Sequence, residues 1–196
     1  MEINGISVSS SNNVKLLGVT IDNKLIFIEH ISKVCKTANV KIIALRRITH
    51  YINTPKARVL CYAYILSHFN YCPLIWTFCN KKSNMLINRK HKRALRTVYD
   101  SKDSSLSELL QKDGSVNIHI KNLHIFMKEI YKSLNHLNPV FMWDIFKENS
   151  TPYNLKSGSI LTLPTVDRKT YGLYGSVFRG SLLWNSLPAH IKRSNS

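Results

Sequence analysis

From about Ile28 to Ile48 the apolar residues Ile31, Val34, Cys35, Ala38, Ile42 and Leu45 recur at helical spacing, which predicts a helix with one inward face. Lys33, Lys36 and Arg47 lie on the other side of that wheel. Thr54 followed by Pro55 reads as a helix start, because a hydroxyl can accept an orphan N–H and proline needs no bond in the first turn. Val59, Leu60, Ala63, Leu66 and Phe69 then form the apolar side of a second helix, which ends near Asn70 ahead of a bend at Tyr71 to Pro73. The sharpest amphipathic segment follows Ser83 and runs to about Tyr99. It turns Ile87, Ala94, Leu95 and Val98 inward and clusters Arg89, Lys92, Arg93 and Arg96 outward.

Helical patterning continues over Ser105 to Lys112, then from about Val116 to Leu137 through Ile120, Leu123, Met127, Ile130 and Leu134, and over a short helix from Pro139 to Phe146. Ser150 to Pro164 carries Pro, Asn, Ser and Gly and reads as an irregular loop, with short extended pieces around Leu161 to Val166. Gly175 to Pro188 contains a short helix through Leu182 to Trp184. At the N-terminus, Ile3 to Val8 and Val14 to Ile21 are β-prone pieces separated by the polar run SSSNN, the pattern of a β-hairpin, with turn chemistry at Asp22 and Asn23. The fold class is therefore mainly α: an N-terminal β-hairpin, a helical bundle, and a C-terminal part of mixed helix and loop.

Charge sharpens this picture. Lys and Arg total 28 against 11 Asp and Glu, a formal net charge of +17. Between Glu29 and Asp100 there is no acidic residue, while fourteen Lys or Arg fall in that interval. Ordinary surfaces mix signs. A single-sign stretch of this length favours a polyanion, although a solvated basic surface is the plain alternative. Seven of the eleven acids lie beyond Asp100, so the electrostatic footprint is mainly N-terminal.

The remaining chemistry is mostly excluded. No run of about 18 apolar residues offers a membrane span, and MEINGISVSS lacks the charged-then-apolar profile of a secretory signal, so a soluble, intracellular chain with no membrane partner is expected. Cys35, Cys61, Cys72 and Cys79 show no disulfide framework, and His68, Cys72 and Cys79 match no structural zinc spacing. Asp100 and Asp103 sit just after a helix, where capping and turn roles suit them better than a catalytic pair for two metal ions. No nucleophile motif accompanies the eight histidines, and His91 falls within an apolar stripe. No phosphate loop of the G-x-x-x-x-G-K kind is present. We expect no catalytic residue, metal or cofactor. What remains is basic helical surface interleaved with Tyr51, Tyr62, Tyr64, Phe69, Tyr71, Trp76 and Phe78. Cations can neutralise phosphates and rings can stack on unpaired bases, but most rings belong in a core.

Four segments in order, VKLLGVTIDNKLIFIEHISKVCKTA, ILSHFNYCPLIWTFC, RALRTVYD and TYGLYGSVFRGSLLWNSLP, resemble successive signatures of non-LTR (LINE-type) retrotransposon reverse transcriptases, and the likeness spans nearly the whole chain. The resemblance implies an end-of-palm hairpin over 1–27, whose Lys15, Leu16, Leu17 and Gly18 grip the primer strand. It also implies a thumb-like helical domain over 28–100 that holds the template–primer duplex, and a C-terminal extension over 101–196. The catalytic Asp-bearing palm of that family precedes the region matched here, so the implied role is to hold RNA or an RNA–DNA duplex against a palm supplied elsewhere. Nuclear residence follows from the family alone. Two departures stand out: the Cys/His knuckle that closes many relatives is not seen, and Lys90 occupies a position where relatives imply an apolar residue. The nucleic-acid candidates are thus Lys15, Leu17, Gly18, Lys33, Lys36, Arg47, Arg89, Lys92, Arg93 and Arg96. A helical protein-interaction module and a transposon relic without function are the competing readings.

Overall fold

A computed structural model describes residues 2–3, 6–7, 11–149, 160–165 and 175–192. It is mainly helical and divides into two compact units, Met1–Ile118 and His119–Ser196.

The N-terminal strands pair differently from the sequence expectation. β1 (Glu2–Ile3) pairs with β2 (Ile6–Ser7), and β3 (Asn13–Leu16) pairs with β4 (Val19–Asp22). The segment from Val14 to Ile21 is thus a hairpin in itself rather than one strand of a longer one. Leu17 and Gly18, at φ 46° and 85°, form its two-residue turn. Two successive left-handed residues match the twist of the flanking strands, and Gly18 takes that conformation without strain. Beyond β4 the Asp22 carboxylate accepts N–H bonds from Lys24 (3.0 Å), Ile26 (3.1 Å) and Phe27 (2.6 Å), wrapping the chain into the next helix.

α1 (Ile28–Ile48) buries Ile31, Cys35, Ala38, Ile42 and Leu45 of the stripe its periodicity predicts, together with His30, while Val34 of that stripe is half-buried. α2 (Thr54–Leu60) begins under Asn53, not Thr54: the Asn53 side chain accepts from Lys56 N at 3.2 Å. α2 runs on into a π-turn over Cys61–Ile65 and a 3-10 turn over Leu66–Asn70. Its inward side is Ala57, Cys61, Ile65, Leu66 and Phe69, whereas Val59 (65% exposed), Leu60 and Ala63 face solvent. The wide π-turn explains part of that correction. It keeps residues four apart on one face where an ordinary helix would drift, a phase that a 3.6-residue template does not reproduce.

After α3 (Pro73–Trp76), α4 (Lys81–Tyr99) starts earlier than its apolar pattern indicates, because Asn80 caps it by accepting from Ser83 N at 2.8 Å. Ser83, Ile87, His91, Ala94, Leu95 and Val98 turn inward. Ile31 and Val34 of α1 share an apolar cluster with Ile87 of α4, and Asn39 further along α1 meets Lys90 and Arg93 further along α4. The two long helices therefore run parallel, which requires the intervening α2–α3 crossover. Phe69 and Trp76 from that crossover close the start of the seam. Each fully buried Ile, Leu or Phe in this core contributes about 2 kcal/mol of apolar transfer.

α5 (Leu106–Asp113), opened by a reciprocal Ser105–Glu108 capping box and closed by Gly114 at φ 66°, packs on α4 within the first unit. α6 (Ile118–Leu134) follows. Its buried line is Ile118, Asn122, Phe126, Ile130 and Ser133, with Ile120 exposed and Leu123, Met127 and Leu134 half-buried, so the inward stripe is rotated from the expected one. The segment expected as a helix from Pro139 is a 3-10 helix over Val140–Ile145. α7 (Ser176–Ser186) is longer than the sequence suggests and is followed by α8 (Ala189–Lys192). The Asn185 amide takes the place of a strand neighbour: it accepts from Leu161 N at 2.8 Å and donates to Leu161 O at 2.9 Å, while Leu161 bridges to Glu148. The expected loop over 150–159 and the extended piece at Val166 lie outside the described residues.

Candidate nucleic-acid interface

The parallel packing of α1 and α4 creates a seam where, among the described residues, no carboxylate pairs with Lys90 or Arg93. Asn39, on the margin of the α1 apolar stripe, receives Lys90 Nζ at 3.0 Å and Arg93 Nη1 at 2.7 Å on one side-chain oxygen. One neutral oxygen cannot compensate two full charges, and Lys and Arg carry three and five donors, so donors remain for an anion. On α1, Lys36 lies three residues before Asn39 and Arg46 seven after it, which places both on the same side of the helix. On α4, Arg89 lies four residues before Arg93. Lys90 and Arg89 are close enough to Cys35 to pull its thiol down, although burial dominates and pushes it up to about 11.

The ten residues singled out from the sequence fall into separate groups. Lys36, Arg89 and Arg93 are exposed along the seam, and Arg47 is exposed in the last turn of α1. Lys92, one position from Arg93, projects about 100° away round the helix, onto the other flank. Arg96 shares that flank and is occupied structurally, with Nε and Nη2 donating to the Ser104 carbonyl at 3.3 and 2.9 Å. Lys33 is largely neutralised, paired with Glu29 at 2.6 Å and donating to Thr20 Oγ1 at 3.3 Å. Lys15 is exposed on β3, opposite Thr20. Leu17 and Gly18 form the hairpin tip, where Leu17 is 81% exposed. Tyr71 Oη donates to the Leu17 carbonyl, and its ring lies 3.6 Å from the position a Gly18 Cβ would take.

Sequence reasoning missed Lys90, Arg46 and Asn39. Lys90 is half-buried at the edge of the apolar stripe, so a wheel that sorts residues into inside and outside gives it no clear place. The acid-free interval was the signal that could have included it.

Other chemistry-bearing groups have structural partners. Asp113 is buried with Arg58 Nε at 2.8 Å and Tyr99 Oη at 2.7 Å, and Tyr62 Oη also donates to it. Burial pushes this carboxyl up, but the Tyr62 and Tyr99 hydroxyls and the Arg58 guanidinium help to outweigh it and hold the group at about 2. Burial likewise raises Cys61 to about 12 and Cys79 to about 11, leaving protonated thiols poorly suited to zinc. An open groove beside the hairpin is lined by Asp22 and Glu29, but the first is spent on three backbone N–H groups and the second on Asn13 (2.5 Å) and Lys33. Among the described residues, no three His, Cys, Asp or Glu side chains converge on a metal position. No helix among them is long and apolar enough to cross a membrane.

Comparison with protein-family models, with curated proteins and with solved structures finds no match to this chain.

Proposed function

We propose that this chain holds nucleic acid, RNA or an RNA–DNA duplex, as the end-of-palm and thumb-like part of a LINE-type reverse transcriptase, working together with a catalytic palm. The observation that carries this reading is the α1–α4 seam, where Lys90 and Arg93 converge on one neutral Asn39 oxygen and Lys36, Arg46 and Arg89 flank them without an acid. Phosphates of a nucleic-acid backbone are the anions that such a line of cations suits, and the contacts need not read sequence. The role is positional, and nuclear residence belongs to the same reading.

Binding of the chain to an RNA–DNA duplex across a salt series tests it, alongside a variant with Lys36, Arg89, Lys90 and Arg93 changed to Gln. Affinity should fall steeply with salt, and the logarithmic slope should flatten by about 0.7 to 0.9 for each phosphate contact removed. A folded chain that binds no duplex at low salt would sink the proposal. One observation favours a helical protein-interaction module instead: Val59, Leu60, Ala63 and Tyr64 form an exposed, largely apolar strip on α2 and its π-turn. That reading gains if Val59→Lys abolishes association with a protein partner while the seam variant does not.

A further inference from the structure

Of the aromatic residues interleaved with the basic helices, most have structural work. Phe69 and Trp76 fill the core, Tyr62 donates to Asp113, and Tyr71 donates to Leu17. Tyr64 carries the Lys41 ammonium 3.9 Å above its ring. Tyr51 differs, being 87% exposed.

Its backbone is nevertheless well held. Tyr51 ends the 3-10 turn Thr49–Tyr51 between α1 and α2. Thr49 donates through its N–H to Leu45 O and through Oγ1 to Arg46 O at 2.9 Å. On the far side Ile52 packs against the core and Asn53 caps α2. The ring thus projects from a turn anchored at both ends, which lowers the entropy lost on stacking.

Its place is as informative as its exposure. Residues 36, 39, 43, 46 and 50 recur at three- and four-residue steps along one side of α1 and the turn after it, so the line through Lys36, Asn39 and Arg46 leads to exposed His50 and Tyr51. Arg47 adds a further exposed cation there. A phosphate backbone following the seam to this end would bring its next base to a bare ring. Bases inside a duplex are already stacked on one another, so the base available to Tyr51 is an unpaired one.

We propose that Tyr51, with Arg46, Arg47 and His50, forms a stacking site for an unpaired base in a single strand that continues from a duplex held on the α1–α4 seam. This rests on the nucleic-acid reading above and adds a junction between duplex and single strand as the ligand.

The test compares a blunt RNA–DNA duplex with the same duplex bearing an oligouridine extension on the RNA strand, placed 5′ in one probe and 3′ in another. A further pair of probes carries abasic extensions. One polarity should tighten binding of the unaltered chain by about fivefold or more, the effect of stacking a single base. Tyr51→Ala should lose that gain and Tyr51→Trp should keep it, with blunt-duplex affinity the same in all three. Because the ring is exposed, neither change disturbs the core. A gain that survives in Tyr51→Ala, or that the abasic extension reproduces in full, would overturn the stacking site. Blunt duplex bound without any gain would overturn this proposal alone, whereas binding to none of the probes would remove the nucleic-acid reading with it.

Discussion

Asp113 shows how much one side chain can hold. Its carboxylate ties Arg58 of α2, Tyr62 of the π-turn and Tyr99 of α4 to the end of α5, and Arg58 also donates to the Asp113 carbonyl at 3.0 Å. Replacing it by Asn leaves a half-exposed guanidinium and two phenols with a poorer acceptor, and should cost about 2 kcal/mol in urea unfolding. The carboxyl is held at about 2 in the folded chain against an ordinary value near 4, so folding favours its charged form. Its contribution is complete above pH 4 and is lost as pH falls toward 2, by about 2 kcal/mol in all. Unfolding midpoints of the unaltered chain and Asp113→Asn should therefore converge as pH is lowered through that window. Nothing in the sequence marks this residue. The helical pattern runs only to its neighbour Lys112, and the side chains that need Asp113 lie on other elements.

At the scale of elements, the seam between α1 and α4 is where stability and binding oppose each other. Asn39 lets two cations approach without neutralising them. Asn39→Asp would supply the missing charge, adding up to about 1 kcal/mol to stability as a partly exposed ion-pair cluster. It should also weaken duplex binding and flatten its salt slope by about one to two units, as Lys90 and Arg93 become less available to phosphates. Tighter duplex binding by this variant would show that the seam is not the contact surface. The existence of both helices is plain from their apolar periodicity, since a stripe at 3.6-residue spacing can be buried only on a helix. Their parallel pairing is not legible, because it depends on the crossover through α2, the π-turn and α3. For the same reason Arg93 and Arg96, both outward on an isolated wheel, part company once Asn39 of α1 takes the first and the Ser104 carbonyl the second.

Across the whole molecule, every candidate nucleic-acid residue lies in the first unit, and the second has its own packing. There α7 meets an edge-to-face pair, Phe126 and Phe146, with ring centroids 6.3 Å apart. A Cβ on Gly180 would fall 2.6 Å from Phe126 and 3.0 Å from Phe146, so only glycine permits the approach. Gly180→Val should destabilise this unit by about 1 to 3 kcal/mol through overpacking. Its melting can be followed by the fluorescence of Trp143 and Trp184, and duplex affinity below the transition should be unchanged. Loss of affinity in a folded Gly180→Val chain would mean that the second unit takes part in binding. The segment of α7 thus has structural tasks: Gly180 for close approach, and Asn185 to satisfy both backbone groups of Leu161.

Composition and periodicity alone determined that this chain is mainly helical with strands at its start, which faces of α1 and α4 turn inward, and that an acid-free basic interval runs from just after Glu29 in the first turn of α1 to the end of α4. These are properties of residues a few positions apart, where chain geometry converts spacing into facing. Tertiary structure decided what depends on distant neighbours. It folds Val14 to Ile21 back on itself at Leu17 and Gly18, and it rotates α2 through a π-turn so that Val59 and Leu60 face water. It also gathers Lys90 and Arg93 on Asn39 while Arg96 is spent on Ser104. Charge and apolar character are written in each residue, but whether a cation is available to a ligand depends on what packing has placed within about 3 Å of it.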